Sequence, residues 1–564
     1  MVLDILEKKL TEIMKLLEYE DEVKIIESNR PDLCDYQYDG AFTLAKKYHK
    51  SPIEIGENIC QKMKELEDFE EYFDKVEFVK PGFINMTLSN RFINSCLIKM
   101  MNTDKFSLKA PKHIDTYVID YGGPNIAKPL HVGHMRPAIV GEAIKRIIKY
   151  VGHNVISDVH FGDFGLQIGQ VIYGMKQRNI SLADVTLDDL NDIYPSMSKL
   201  CKEDDSVKEI CANITKELQD GNEEYEAYYQ KIFELSKADI KRIYAYLDID
   251  FDLWYGEMDS RKFIPLVEKI LVEKNLTTLS EGALVVDVTE PTDTKELPPL
   301  IFKKSNGAYL YGSTDMATIY QREMDYHPDY ILYVADLRQS LHFEQVFRAS
   351  LKANITDAKM EHLGFGTING VDGKPYKTRS GETPKLDSLF EEVENIFTSS
   401  KESNQTMSLE DRRIIVNSIL KFADLQNNRE KDYIFDIKKF SEVVGKTGPY
   451  VLYTYLRVAK ILKNETYTEN LTDSIYNIQD RNLRLKLLAF NEAVWNACNL
   501  RLPSYIASYI YELCVLLNTF YQNNHINGLE DEIKKNDWLS VLSLANRILF
   551  DLLNLLGMEI PSIM

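Results

Sequence analysis

Apolar positions along the chain switch between two periods. Leu3, Leu6, Leu10, Ile13, Leu16 and Leu17 recur at steps of three and four, which predicts an amphipathic helix over residues 2 to about 28 opening a first domain. Helices are expected at 41–50 and 52–66, then a strand-like run from Val76 to Leu88 interrupted by Pro81 and Gly82. Thr116 to Asp120 reads as a short apolar strand. After a loop holding Gly and Pro, the positions Ala143, Ile144, Ile147, Ile148 and Val151 trace one helix face, with Pro137 expected in the first turn and Gly152 at the end. Val155 to Val159 supplies a second strand, so the pattern is a strand–helix–strand crossover of the kind that builds parallel sheets.

Residues 175–246 are acidic and helical in period, and read as an insertion between sheet strands. A β-rich patch near 282–288 precedes a second α/β half: strand Tyr330 to Val334, helix near 340–353, strand Leu363 to Ile368. Two such halves leave a crevice at the carboxyl ends of the strands, where ligands bind in these sheets. Past a polar connector at 398–405, helical spacing persists to the end, as in Ile506, Ile510, Leu513, Leu517 and Phe520. The expected fold class is therefore α/β in the middle of the chain (111–400), with an N-terminal α+β domain (1–110) and a C-terminal all-α helical bundle (401–564).

Length and composition agree with a folded multidomain protein: 564 residues, 27% charged and 44% hydrophobic. A net charge of −20 excludes a sequence-blind polyanion binder coated with positive charge, so contact with nucleic acid has to be local and basic. The seven cysteines are scattered without a C-x-x-C pair, which argues for reduced thiols and against a structural metal. Acids at the N-terminus and no run of about 18 apolar residues point away from export and from a membrane, leaving a cytoplasmic address.

The densest chemistry lies between the first strand and its helix, in Asp120-Tyr121-Gly122-Gly123-Pro124-Asn125-Ile126-Ala127-Lys128-Pro129-Leu130-His131-Val132-Gly133-His134. His131 and His134 are three apart, so at a helix start both rings reach one side, while Gly133 lets a flat ring lie against the backbone. The helix N-terminus adds free N–H groups and partial positive charge suited to phosphate. Read alone, H-x-x-H also fits a partial metal site or two satisfied core histidines; the absence of nearby clustered cysteines and carboxylates disfavours zinc.

A second candidate is the loop Gly370 to Lys385, with four cations against two acids and three glycines. It suits a cationic lid over polyphosphate, with Lys377 and Arg379 contacting departing pyrophosphate as point charge and bidentate fork. A solvated surface loop is the bland alternative. A cationic substrate calls for carboxylates: Asp120 closes the first strand, Tyr311 and Asp315 share a face on a helical turn, and Gln339 follows the Tyr330–Val334 strand at the ligand edge of the sheet.

The Asp120–His134 segment resembles the HIGH signature of class I aminoacyl-tRNA synthetases. The longer run Pro124 to Arg136, with Gly162-Asp163-Phe164-Gly165-Leu166-Gln167, is similar to the arginyl enzymes of that class. Matches continue through Lys80-Pro81-Gly82-Phe83-Ile84-Asn85, Phe251-Asp252, Gly256-Glu257, Gly448-Pro449-Tyr450, Tyr453, Arg457 and the terminal Leu555 to Met564. The resemblance implies a Rossmann-like catalytic domain that joins L-arginine to tRNA(Arg) through an arginyl-adenylate, using ATP with Mg2+. It implies that His131, Gly133 and His134 hold ATP; that Asp120, Tyr311, Asp315 and Gln339 hold the arginine side chain; and that Asn125 holds its α-amino and carboxylate groups. The loop departs from the usual K-M-S-K-S form, and in enzymes with the G-K-P-F-K-T-R form a lysine placed like Lys128 supplies the missing charge. The helical C-terminal domain is implied to read the anticodon and the N-terminal domain the outer corner of the tRNA; Tyr450, Tyr453, Arg457, Lys446 and Lys460 are candidates within a basic seam that also holds Arg412, Arg413 and Lys421. A monomer is expected. Two rivals stand beside this reading: a non-catalytic RNA-binding paralogue, and a class I enzyme charging lysine, whose substrate is also cationic.

Overall fold

The computed structural model describes residues 1–376, 384–399 and 407–564. The chain folds into two compact units. One joins Met1–Ala110 to Val451–Asn496 and Ser508–Leu552, and the other joins Pro111–Tyr450 to Ala497–Ala507 and Leu553–Met564.

The second unit carries the parallel sheet. Its strands are β1 (Thr116–Tyr121), β2 (Asn154–Asp158), β3 (Tyr330–Val334) and β4 (Lys359–His362), in the order β4-β3-β1-β2. β1 runs through α1 (Val132–Val151) to β2, and β3 through a helix at Ser340–Lys352 to β4. The two halves wind outward in opposite directions from the β1–β3 pair, so the crevice opens between those strands. Gly141 lets α1 approach β1, since a Cβ there would meet the Tyr121 ring at 2.2 Å. Apolar residues of β3, Ile264–Glu273, Tyr311–Tyr326 and Ser340–Lys352 fill the core, among them Ile331, Val267, Met316 and Val346. The insertion is three helices, Leu187–Glu203, Asp205–Gln219 and Glu223–Tyr246.

Three local expectations are corrected. The first helix spans Val2–Leu16, ending where Glu18 turns to a φ of 58° before an acidic stretch. Pro137 is not in a first turn: the helix starts at Val132, five residues earlier than the proline, because His131 and His134 cap it. The strand expected at Leu363–Ile368 instead ends at His362. A Cβ at Gly366 would sit 2.6 Å from Asp432, and past this tight turn Ile368–Asn369 leaves the main sheet to pair with Tyr433–Ile434.

The other unit has an antiparallel sheet, in the order Ile26–Glu27, Tyr36–Tyr38, Phe83–Leu88, Phe73–Val79, together with helices from both chain ends. A buried polar cluster joins them. Arg484 donates to Asp480 (2.7 Å), Asp537 and Asn94 (2.7 Å), and Arg481 donates to Asp35 (2.7 Å) and Asn90 (2.8 Å). An arginine this deep is tolerated because its donors face carboxylates and an amide oxygen. Helix Glu532–Leu555 meets the length and composition of a membrane span, contrary to the expectation that no segment does; its apolar face, including Val541, Leu544, Ile548 and Leu552, is buried in the fold.

Candidate active site

The crevice widens into a cleft of about 780 Å³ whose lining brings together His131, Gly133 and His134, here called the histidine end, and Asp120, Tyr311, Asp315 and Gln339, here called the acidic end. Asn125 lies on the same wall, and Gly162 is required beside it: a Cβ there would come within 2.5 Å of the Asn125 amide oxygen.

The histidine end is a helix cap built from two rings. The His131 Nδ1 accepts from the Gly133 N–H at 3.1 Å, and the His134 Nδ1 accepts from the His131 N–H at 3.1 Å. His131 is thus the N-cap and His134 the third helical residue of a reciprocal capping pair. With both Nδ1 atoms used as acceptors, each neutral ring carries its proton on Nε2 and keeps that N–H to donate. Burial lowers the pKa of His131, helped by Lys128, and burial with the neighbouring His131 lowers that of His134 to about 3. Both rings are neutral donors at pH 7.

The acidic end draws on the sheet itself. Strand register places Asp158, Asp120, Tyr333 and His362 in one row across β2, β1, β3 and β4. Arg322, from the helix Tyr311–Tyr326, donates through one Nη2 to Asp120 (2.7 Å) and Asp158 (2.8 Å). His160 lies 3.3 Å from Asp158; burial opposes its charge, but Asp158 and Asp120 raise its pKa to about 9. Asp120, Asp158 and His160 bring ligand atoms within 4.8 Å of one another, as a metal site would. The Arg322 guanidinium already bridges the two carboxylates, so the positive charge comes from the protein itself.

Beside this row, Asp315 is hydrogen-bonded to His342, whose pKa is raised by that carboxylate against the effect of burial. Glu257 is buried and accepts a hydrogen bond from the Phe164 N–H (3.2 Å). Burial, then Asp163 and Asp315, push its pKa to about 8, and burial takes Asp163 to about 7.

The third wall is backbone. Arg136, 1% exposed on α1, donates to the carbonyls of Gly366 (2.5 Å), Thr367 (3.4 Å) and Lys431 (2.9 Å) and to Asp424 (3.3 Å). It holds the Gly366–Ile368 turn that faces the cleft.

The cleft therefore gathers Asp120, Asn125, His131, Gly133, His134, Tyr311, Asp315 and Gln339 from three separate chain segments. It does not gather Lys128, whose Nζ lies 4.7 Å from the Tyr194 ring centroid in the insertion. Lys377 and Arg379 lie outside the described residues. Sequence reasoning missed the roles of Glu257, His160, His342 and Arg322. Gly256-Glu257 was visible as a motif, but nothing in spacing tells that Arg322 reaches two strands.

Of the C-terminal candidates, Tyr450, Tyr453, Arg457 and Lys460 share the helix Gly448–Lys463 at helical spacing. Tyr453 and Lys460 are exposed, Lys446 and Tyr450 are half-buried, and Arg457 is stacked 4.1 Å over Tyr521 while donating to Asn518 (3.3 Å). Lys421 does not belong to a basic seam. It is 1% exposed and donates to the Gly557 carbonyl, and burial lowers its pKa to about 7. Arg413 is also committed, to Glu410 and Glu559 at 2.6 Å each.

Family profiles match the chain in three consecutive stretches: "Arginyl tRNA synthetase N terminal domain" over residues 2–88, "tRNA synthetases class I (R), catalytic domain" over 96–437, and "DALR anticodon binding domain" over 451–564. The arginine–tRNA ligase of Alkaliphilus oremlandii is 41% identical over 558 residues, covering 95% of this chain and 94% of that one. That of Francisella tularensis is 36% identical over 583 residues, covering 99% and 98%. Among solved structures, the arginyl-tRNA synthetase of Plasmodium falciparum superposes with a TM-score of 0.84 at 26% identity, covering 100% and 99%. The Thermus thermophilus enzyme shares the fold with a TM-score of 0.82 at 22% identity, covering 100% of both chains.

Proposed function

The chain belongs to the class I arginyl-tRNA synthetase family, and from that premise we propose how its cleft divides the work of attaching L-arginine to tRNA(Arg). The reaction consumes ATP and serves protein synthesis. The observation that carries the division is the pairing, in one cleft, of a neutral donor end at a helix N-terminus with an acidic end that includes carboxylates facing the cavity.

At the donor end, His131, Gly133 and His134 hold Mg2+-bound ATP. The two Nε2–H groups and the free N–H groups of the helix N-terminus stabilise the negative charge that builds as the arginine carboxylate attacks the α-phosphorus and pyrophosphate leaves. Neutral rings suit this role, since they donate hydrogen bonds without first having to gain a proton. At the acidic end, Asp120, Tyr311, Asp315 and Gln339 receive the guanidinium, and Asn125 the α-amino and carboxylate groups, so that the attacking oxygen is held toward the phosphate. A 3′-terminal ribose hydroxyl of the tRNA then takes the arginyl group from the adenylate. Lys377 and Arg379 are assigned to pyrophosphate, and Lys128 acts on the histidines through its field rather than by lining the cleft. Residues 1–110 contact the outer corner of the tRNA. The helical segment within 401–564 reads the anticodon through Tyr450, Tyr453, Arg457, Lys446 and Lys460. The enzyme acts as a cytoplasmic monomer.

Pyrophosphate exchange with arginine or with lysine, each with and without tRNA, tests the reading. Arginine-dependent exchange is expected, and tRNA should be needed for it. Exchange with lysine alone, or none under any condition, would refute the assignment of the acidic end.

A further inference from the structure

We propose that Arg322 is a positioning residue for substrate arginine: an internal guanidinium that pins Asp120 from behind and so decides which oxygen the cleft offers to the substrate. The proposal rests on the assignment of Asp120 to the arginine site. Register sets Asp120 on β1 opposite Asp158 on β2, so the two carboxylates point to the same side of the sheet. A single Nη2 of Arg322 bridges one oxygen of each, at 2.7 and 2.8 Å. The side chains of Arg322 and Asp158 are 3% and 2% exposed, and that of Asp120 is 14% exposed. Asp158 is thus an anchor beyond the reach of a ligand, while Asp120 stands at the cleft wall. Its Oδ2 is committed to Arg322, which leaves Oδ1 as the oxygen available to a bound cation.

Two further features fit this role. Arg322 lies two turns beyond Asp315 on the same helix, so one rigid element carries both a carboxylate facing the cleft and the cation that orients its partner. The guanidinium carbon of Arg322 also lies 5.3 Å from the Tyr333 ring, so that ring on β3 and the two carboxylates on β1 and β2 together set the orientation of the guanidinium. Without Arg322, Asp120 and Asp158 would share His160, 3.3 Å from Asp158, as their counter-charge, one cation for two buried carboxylates, which favours uptake of a proton and removes charge where the substrate needs it.

The test compares Arg322→Lys and Asp158→Asn with Asp120→Asn in tRNA-dependent pyrophosphate exchange, with thermal unfolding followed in parallel. Lysine keeps the charge at residue 322 but loses the planar fork, so Arg322→Lys is expected to raise the KM for arginine by about tenfold or more while the KM for ATP stays within about twofold. Its arginine KM should also become more sensitive to acid than that of the parent, because burial already raises the pKa of Asp120 and, without the bridging fork, His160 is left as the aligned counter-charge of the Asp120–Asp158 row. Asp158→Asn should raise the arginine KM in the same direction. A purely structural role would lower the melting temperature or kcat and leave the arginine KM and its pH profile unchanged, which overturns the proposal. If Asp120→Asn weakens arginine while both other variants do not, only the positioning role falls. If Asp120→Asn leaves arginine binding intact, the assignment of Asp120 falls and the proposal with it.

Discussion

At one end of the cleft, His131 and His134 are driven toward neutrality by burial; at the other, Asp158 is kept well below the usual carboxylate range despite burial, and His160 is kept charged. The same cost of placing charge in a low-dielectric site is met in two ways. At the histidines the protein gives up charge and keeps oriented Nε2–H donors, since the Nδ1 atoms are occupied by the helix cap. At the acidic end, Asp158 and His160 retain charge by pairing with each other and with the Arg322 guanidinium, whereas burial raises the pKa values of Asp120 and Glu257. Burial therefore does not fix the charge of a site; the partner supplied from another strand or helix does.

The largest expected effect tests the donor end. His134→Ala should lower adenylate formation by about 10²- to 10³-fold, as loss of a preorganised transition-state donor does, with arginine affinity unchanged. Equal losses in exchange rate and in arginine binding measured by calorimetry would erase the distinction between the two ends. At the acidic end, Asp315→Ala should cut kcat/KM for arginine by about 10²-fold, mostly through KM, and relax discrimination against lysine, because a desolvated cation loses its carboxylate. Steady-state kinetics with both amino acids check it.

A third outcome concerns protons. Burial raises the folded-state pKa values of Glu257, to about 8, and Asp163, to about 7, above their unfolded values. The folded protein thus holds these protons where the unfolded chain has released them. Their contribution to stability is complete below the unfolded pKa values and is lost as pH rises through about 7 to 8. Denaturant midpoints measured from pH 5 to 9 should fall across that window, and Glu257→Gln should flatten part of the decline. The smallest effect is expected outside the cleft: Lys460→Ala should weaken tRNA binding a few-fold and reduce the slope of log K against log salt by about one, without altering exchange kinetics for ATP or arginine.

Much of this site was legible before the structure. Crossover strands, the helix after β1 and the H-x-G-H spacing placed the two histidines at a helix start beside the sheet, because a helix start and its caps are local in sequence. Tyr311 and Asp315 were legible for the same reason, lying one turn apart. The strand after His362 was misplaced because a run of apolar residues does not reveal that Gly366 must pack against Asp432 and send the chain to another partner. Lys421 looked like a surface cation, and its burial against Gly557 joins residues far apart in the chain.

The order of residues alone determined the class of sheet, the family and the position of the histidines at a helix N-terminus, since these depend on period, capping and contiguous motifs. Only the tertiary structure decided the charge states. It brought Arg322 onto Asp120 and Asp158, set His342 on Asp315, buried Glu257 near Asp163 and Asp315, and turned Lys128 toward Tyr194. Coulomb energy and desolvation depend on distances across the fold, and those distances are fixed by strand register and helix packing rather than by separation along the chain.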